Sequence, residues 1–484
     1  MKKQTDVHPA IGPLARTVAA VALLLLGLPL ATAVAVMVKT SINIPLTDDY
    51  DSIAELLSRY VHTHGLIARI GWILSAQHNQ YKLILLNTVV VLQYHLIGHT
   101  NFRALQLIGD LSIPATLWLL WLLLARQQRP FHQALWLILI PWYLFLSLCY
   151  FETVNWAMNG FFALAIIPLA FTSVLLFTSP ARHATAWGTL FLVLSIAANA
   201  SGFILAFAIF ALLIYQRRFR AALTLALAVC VMAGIYRIHY VALPSDHSLP
   251  PIGGALTFAF AFLGGLFSTL TASSVFGVVL VAGFIFLLTR GWLRVSPDTF
   301  CIALYCLITA AAITPARYHE GVETAFTSRY RMYPLMLLSA EYLAILRIFV
   351  PQRLTLRSLW VPVLGLATFA SIAFGITEQM HAYRVLHARQ RFLIAHLILW
   401  ERHPERLDLV PNEIGFLNGD RWIPFRIRAQ GILRDSIAGG LYIPPVSAQD
   451  PLPLKPHSDS TIGIEDETWP PKGAGAASNS PGPN

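Results

Sequence analysis

Asp48 and Asp49 stand side by side in the run Pro45-Leu46-Thr47-Asp48-Asp49-Tyr50-Asp51-Ser52, shortly after an apolar stretch long enough to cross a bilayer. Ionisable groups close to hydrocarbon are costly, so a carboxylate pair at a membrane surface is a functional candidate. A carboxylate within hydrogen-bond reach of a hydroxyl can act as general base, taking its proton as the oxygen attacks. The pair also precedes a helix-forming segment, where unpaired N–H groups and the helix dipole favour the ionised form. Asp51 adds the spacing Asp49-Tyr50-Asp51, which suits a cap or a carboxylate that assists a cation. Capping alone explains Asp48 and Asp49 less well, because Ser52 supplies a cap of its own. The position points to chemistry on a lipid-borne substrate.

These residues belong to a very apolar chain. Of 484 residues, 56% are hydrophobic and 12% charged, and the mean hydropathy is +0.62. A soluble protein carries roughly 25% charged residues. Continuous apolar runs of near-spanning length predict an all-α, polytopic membrane protein and disfavour a β-barrel, whose strands would alternate. The net charge of +10 is no sign of a nucleic-acid partner, because its Arg residues cluster in short loops and in the C-terminal region. Cys149, Cys230, Cys301 and Cys306 lie in or beside apolar runs, without CxxC spacing, and read as packing residues.

The apolar runs predict spans near 17–38, 104–125, 132–150, 158–177, 186–199, 202–215, 221–240, 272–289, 297–315, 330–347 and 358–376, about eleven in all. The two beside Asn199-Ala200-Ser201-Gly202 are short and read as half-spans meeting at a polar break. Arg126 and Arg129, Arg182, Arg217, Arg218 and Arg220, Arg290 and Arg294, and Arg347, Arg353 and Arg357 then share the side of the N-terminus, which the positive-inside rule makes cytoplasmic. Counting residues 82–97 as a span would invert every later loop. As a helix that stretch is only about 24 Å long, against roughly 30 Å of hydrocarbon, so it is expected to stay outside.

The first external loop therefore covers about 39–103 and holds two juxtamembrane helices. In the first, Ser52-Ile-Ala-Glu55 reads as a capping box, and Ile53, Leu56, Leu57 and Tyr60 form one apolar face expected to rest on the membrane. Residues 377–446 form a small external C-terminal region, with a helix over 377–402. Residues 447–484, rich in Pro, Ser and Gly, read as a disordered tail.

The order of these features resembles the GT-C superfamily of polytopic membrane glycosyltransferases, such as the aminoarabinose transferases and protein O-mannosyltransferases. The acidic pair after the first helix resembles that superfamily's signature. Gln77-His78-Asn79-Gln80-Tyr81-Lys82 resembles an N-E-H-R-like stretch, with Gln80 where the relatives carry an acid and Lys82 as the basic residue. Leu96-Ile97-Gly98-His99-Thr100-Asn101-Phe102 resembles their L-F-G-x-x-N-F turn, and Ser328-Arg329-Tyr330 their S-R-Y motif. The likeness covers roughly residues 15–376. It implies a GT-C-like domain over 1–376 in a bacterial inner membrane, a polyprenyl-phosphate sugar as donor, and an envelope glycan, lipid or protein as acceptor on the external side. It also implies that the C-terminus is periplasmic.

Glycosyl transfer with inversion asks for a base, here Asp48 or Asp49, and for a cation at the departing phosphate. Lys82 can meet phosphate as a point charge or snorkel. Arg329 can bind it bidentately or anchor an interface. Asp51, His78, Asn79, Glu152, Asn155 and Tyr330 are the candidate pocket residues. No ligand set for a resident metal is assigned, although a divalent cation could sit near Asp49 and Asp51. The histidines of the first loop lack helical zinc spacing. A transporter or flippase, a glycan polymerase or ligase, and a non-catalytic relative are the alternatives. The first would show interrupted helices in matched halves, and the second a large late Arg-rich loop.

Overall fold

The structure, a computed structural model, describes residues 13–242, 250–355, 357–411 and 423–453. Apolar segments satisfy their backbone polar groups internally, which leaves them helical. Among the described residues there is no β-strand, only two isolated bridges. The first helix, α1 (Pro13–Thr40), leads into a loop carrying α2 (Leu56–His62), α3 (Leu66–Ser75) and α4 (Ile84–Ile97). Then follow α5 (Phe102–Asp110), α6 (Ser112–Ala125), α7 (Phe131–Leu146), α8 (Ala157–Asn159), α9 (Ile166–Phe177), α10 (Ala184–Ala198), α11 (Ser201–Tyr215) and α12 (Phe219–Arg237). The later helices are α13 (Ile252–Leu263), α14 (Leu270–Thr289), α15 (Trp292–Val295), α16 (Pro297–Arg317), α17 (Met332–Ile348), α18 (Trp360–Arg402) and α19 (Ile423–Ala438).

Seven segments are long and apolar enough to cross a membrane: Arg16–Thr40, Phe102–Ala125, Ala157–Phe177, Phe219–Arg237, Leu270–Thr289, Pro297–Glu320 and Trp360–Arg402. The other four expected spans form the shorter helices α7, α10, α11 and α17. On α12, Leu223, Leu227 and Val231 are exposed at successive helical turns, the pattern of a lipid-facing stripe.

Arginines tie one end of the bundle together. Arg126 donates to Leu175 O (2.9 Å) and Thr178 Oγ1 (3.0 Å), and pairs with Asp298 at 3.2 Å. Arg347 donates to Arg126 O (2.9 Å), Arg129 to Pro351 O (2.8 Å), Arg218 to Phe177 O, and Arg294 to Tyr215 Oη (3.3 Å). The Arg-bearing loops therefore lie on one side, as their spacing predicted. Arg218 also reaches Thr185, so the outer ends of α10 and α11 meet at this end. The two helices are a hairpin, not collinear half-spans. Its turn is closed by Asn199, which accepts from Ser201 N (2.8 Å) and donates to Phe162 O (3.1 Å).

The opposite end has its own core, separate from that of the bundle. Leu56, Leu57, Leu86 and Val90 of the first loop pack there with Leu393 and Leu397 of α18, Leu433 of α19, and Tyr442. Burying each such leucine contributes roughly 1.5–3 kcal/mol. The apolar face Ile53, Leu56, Leu57 and Tyr60 is buried as its periodicity required, but against this core and not against lipid. The unforeseen helix is α3, which has no buried residue and exposes Leu66 and Ile67 at 74% and 88%.

Three boundaries differ from those expected. Helix α18 runs unbroken for 43 residues, about 64 Å, through the division drawn at residue 376. It packs closely there because Gly375 lies against the backbone of Tyr143, where a Cβ would come within 2.8 Å of the carbonyl oxygen. The capping box is not formed: Ser52 Oγ donates back to Asp48 O (2.7 Å), and Glu55 pairs with Arg59 and Arg428. Residues 447–453 of the expected tail are held by Arg402, which donates to Ala448 O and Asp450 O at 2.7 Å each. The remainder of that tail, from 454, lies outside the described residues.

Candidate functional site

The acidic pair sits in a turn stitched to the bundle. Asn43 accepts from Phe102 N at 2.7 Å, and Ile42 N donates to Gln106 at 3.0 Å. Thr47 turns the chain in the left-handed region, at φ 34°. Asp49 then closes the turn reciprocally: its N–H donates to Leu46 O (2.8 Å), and its Oδ2 accepts from Leu46 N (3.0 Å). Its Oδ1 accepts from Met158 N at 2.8 Å. Both oxygens of a fully buried carboxylate are thus engaged. Burial pushes its pKa up to about 7 against the pull of these two amides, and Asp48 adds to the rise.

A π-helical turn begins on either side of this contact, at Tyr50–Glu55 and at Gly160–Leu164. Such turns recur at functional sites, where an extra residue per turn re-aims side chains. The second can approach because Gly109 and Gly160 touch; a Cβ on Gly109 would lie 2.7 Å from Gly160 Cα.

The two aspartates of the pair have different surroundings. Asp48 is 37% exposed, and its Oδ1 lies 3.6 Å from His78 Nε2. Burial alone would lower the pKa of His78, but its contact with Asp48 and the charges of Asp48 and Asp51 outweigh it, and the imidazole is held above its ordinary value. Asn79 lies 3.0 Å from the same ring nitrogen. A charged imidazole donates there, so Asn79 must then present its oxygen.

Beside this dyad is a polar chamber of 180 Å³, lined by Asp51, Glu55, Arg59, Trp72, Gln77, His78, Asn79, Asn87 and Arg428. Trp72 donates from its indole nitrogen to Leu56 O (3.2 Å), with the Arg59 guanidinium 5.7 Å from its ring centre. Trp72, Ala76, Gln77 and Asn79 also line a larger groove of 730 Å³, whose far wall is Ile238, His239 and Val241. Gln77 ties that wall by a two-way pairing with Val241, accepting from its N–H at 3.1 Å and donating to its carbonyl at 2.7 Å. The groove therefore runs between α3 and the end of α12, two elements rich in exposed apolar residues.

Lys82 is not free to meet a phosphate. It is fully buried, and its ammonium donates to Ile238 O and Ile235 O (3.4 Å), the carbonyls at the end of α12. A cation there complements the negative end of the helix, and burial lowers its pKa. Lys82 supports the groove wall from behind.

Glu152, Arg329 and Tyr330 form a second group that lines neither space. Glu152 accepts from Arg329 N at 3.0 Å and donates its own N–H to Ser328 Oγ at 3.1 Å. The Arg329 guanidinium lies over the Tyr330 ring, 5.3 Å from its centre. Asn155, at φ 53°, donates to Thr40 Oγ1 (2.6 Å) and through its N–H to Asp110 (3.4 Å), a buried structural knot.

Comparison with protein-family models, with curated proteins and with solved structures gives no match for this chain.

Among the described residues no group of three or more His, Cys, Asp or Glu could hold a metal ion. The donor set near Asp49 and Asp51 does not fit one: Asp49 spends both oxygens on amides, and Asp51 faces Arg428 at 3.2 Å. Glu55, Arg59, Trp72 and Arg428 are chamber residues that the sequence did not mark as site residues, Glu55 being read there only as part of a capping box. Glu55 and Arg59 carried a signal, an i, i+4 ion pair in the first loop. Arg428 carried none.

Proposed function

We propose that the protein is a membrane glycosyltransferase that moves a sugar from a polyprenyl-phosphate donor to a cell-envelope acceptor on the external face. One observation carries this reading: a polar chamber of sugar size shares Trp72, Ala76, Gln77 and Asn79 with a larger groove between α3 and the end of α12, helices that expose apolar residues. An amphiphile with a polar head and a long apolar chain matches that pairing of spaces. Asp48, the accessible member of the acidic pair, does not line the chamber itself but touches His78, which does.

In this reading the acceptor hydroxyl gives its proton to Asp48 as its oxygen bonds to the anomeric carbon. The bond from that carbon to the phosphate oxygen breaks, and the phosphate leaves with the electron pair. His78 and Arg59 are the cations that meet the charge developing there. Asp49 holds the turn that presents Asp48.

The helices alternate between the arginine-rich end and the site end. That alternation supports eleven passes, with α13 kept at the site end by Gly254 against Tyr318 and Gly265 against Phe326. Lys and Arg density supports a cytoplasmic side for the other end, and the likeness to bacterial GT-C enzymes favours an inner membrane with the C-terminus periplasmic.

The test is release of sugar from a panel of polyprenyl-phosphate sugars by purified protein in nanodiscs. Transfer lost in Asp48→Asn with the fold intact is the expected result. An Asp48→Asn enzyme as fast as its parent overturns the assignment.

A further inference from the structure

The chamber is built from both ends of the chain. Arg428 belongs to α19, 373 residues beyond Glu55. Its Nε lies 3.2 Å from Asp51 Oδ1, and its Nη2 meets Glu55 Oε2. These are the two carboxylates that line the chamber, and Arg428 lines it with them. The Arg428 side chain is itself 55% exposed, but the carboxylates it meets are only 19% and 18% exposed, and the segments that carry the contact are packed together. Behind it Tyr50 donates to Pro411 O at 2.7 Å, Phe425 meets the Tyr50 ring edge-on at 6.4 Å, and Ala429 and Leu433 are buried in the core shared with the first loop.

We infer that Arg428 is a positioning residue, which fixes Asp51 and Glu55 in the orientations that face a bound ligand, so that the C-terminal helix completes the ligand site. A guanidinium is suited to this because its planar fork can serve two carboxylates at once, which an ammonium cannot do with the same geometry. The carboxylates, so fixed, accept hydrogen bonds from ligand hydroxyls instead of turning to solvent. The surroundings of Asp51 agree: burial raises its pKa, and the charge of Arg428 is the foremost influence opposing that rise, with His78 next. This inference rests on reading the chamber as the ligand site, but not on which ligand enters it.

The experiment needs no substrate. Full-length protein carrying fluorotryptophan is titrated in nanodiscs, and the Trp72 fluorine resonance is identified by its loss in Trp72→Phe. Trp72 shares the chamber with Asp51 and so reports its ionisation. The parent should show a transition that Asp51→Asn abolishes. Arg428→Ala should move its midpoint to higher pH, because burial then acts with less opposition. Arg428→Lys should restore part of that shift, since charge returns without the fork. A midpoint unmoved in Arg428→Ala overturns the inference, and so does one unmoved in Arg428→Lys relative to the parent if the alanine variant fails to fold. Absent sugar transfer with this titration behaviour intact would instead count against the proposed function alone.

Discussion

Asp49 and Met158 stand 109 residues apart, and the 2.8 Å bond from the Met158 amide to Asp49 Oδ1 joins the first loop to α8. The carboxylate that looked most like a catalytic base is thereby occupied as an acceptor. Its neighbour Asp48 keeps one oxygen toward His78 and a third of its surface open.

The two aspartates should therefore fail differently. In Asp49→Asn the new amide must point its NH₂ at either Leu46 N–H or Met158 N–H, leaving one buried donor unmatched. The expected cost is about 1–3 kcal/mol of stability. Asp48→Asn should lose only the stability that its pairing with His78 adds at mildly acid pH, leave unfolding at alkaline pH unchanged, and reduce transfer by about 10²–10⁴-fold. Unfolding in detergent and a transfer assay on both variants separate the two roles.

The pH dependence of stability follows from the same groups. Asp49 is raised from 3.8 to about 7, so between those values the folded state holds a proton that the unfolded chain has lost. Stability falls as pH rises through that window and levels off above it. His78 is also raised, so its contribution is complete below its ordinary value of 6.5 and is lost as pH rises through the higher folded value. The melting temperature should thus decline from mildly acid to mildly alkaline pH. His78→Gln should flatten the upper part of the decline, and an unchanged profile would contradict the Asp48–His78 pairing.

Lys82→Met should loosen the junction between the first loop and α12 without abolishing phosphate recognition. The variant leaves the carbonyls of Ile235 and Ile238 without their ammonium, at a cost of about 1–3 kcal/mol. Hydrogen exchange at residues 235–241 should quicken. Binding of polyprenyl phosphate that drops more than the fraction folded would return Lys82 to the phosphate.

Two exposed positions test the sidedness. With Cys230, the exposed native cysteine, changed to Ser, an impermeant thiol reagent outside the cell should label His64→Cys and not Arg217→Cys. Both native residues are exposed, at opposite ends of the bundle. Labelling of Arg217→Cys from outside would invert the proposed orientation.

Much of this architecture was legible in the residues themselves. Apolar runs dictate helices, because a segment surrounded by hydrocarbon must bond its own backbone. The spacing of Ile53, Leu56, Leu57 and Tyr60 dictates one buried face, and the arginines of the short loops collect at one end. Periodicity and charge are local properties, so they survive reading in one dimension. What that face meets is not local: the same stripe serves lipid or protein, and only the C-terminal leucines folding over it decided for protein.

The site was legible as a neighbourhood and not as a constellation. Asp48, Asp51, His78 and Asn79 do come together, because a single loop holds them. Lys82 and Asp49 look chemically free in the sequence, yet each is consumed by backbone groups supplied from far along the chain, Ile238 and Met158. Arg428 gives no signal at all until α19 packs against the first loop. Residue type and local spacing announce which groups can do chemistry. Only tertiary packing determines which remain accessible, because an ionisable group buried beside backbone amides or carbonyls is committed to them by the cost of leaving either partner unsatisfied.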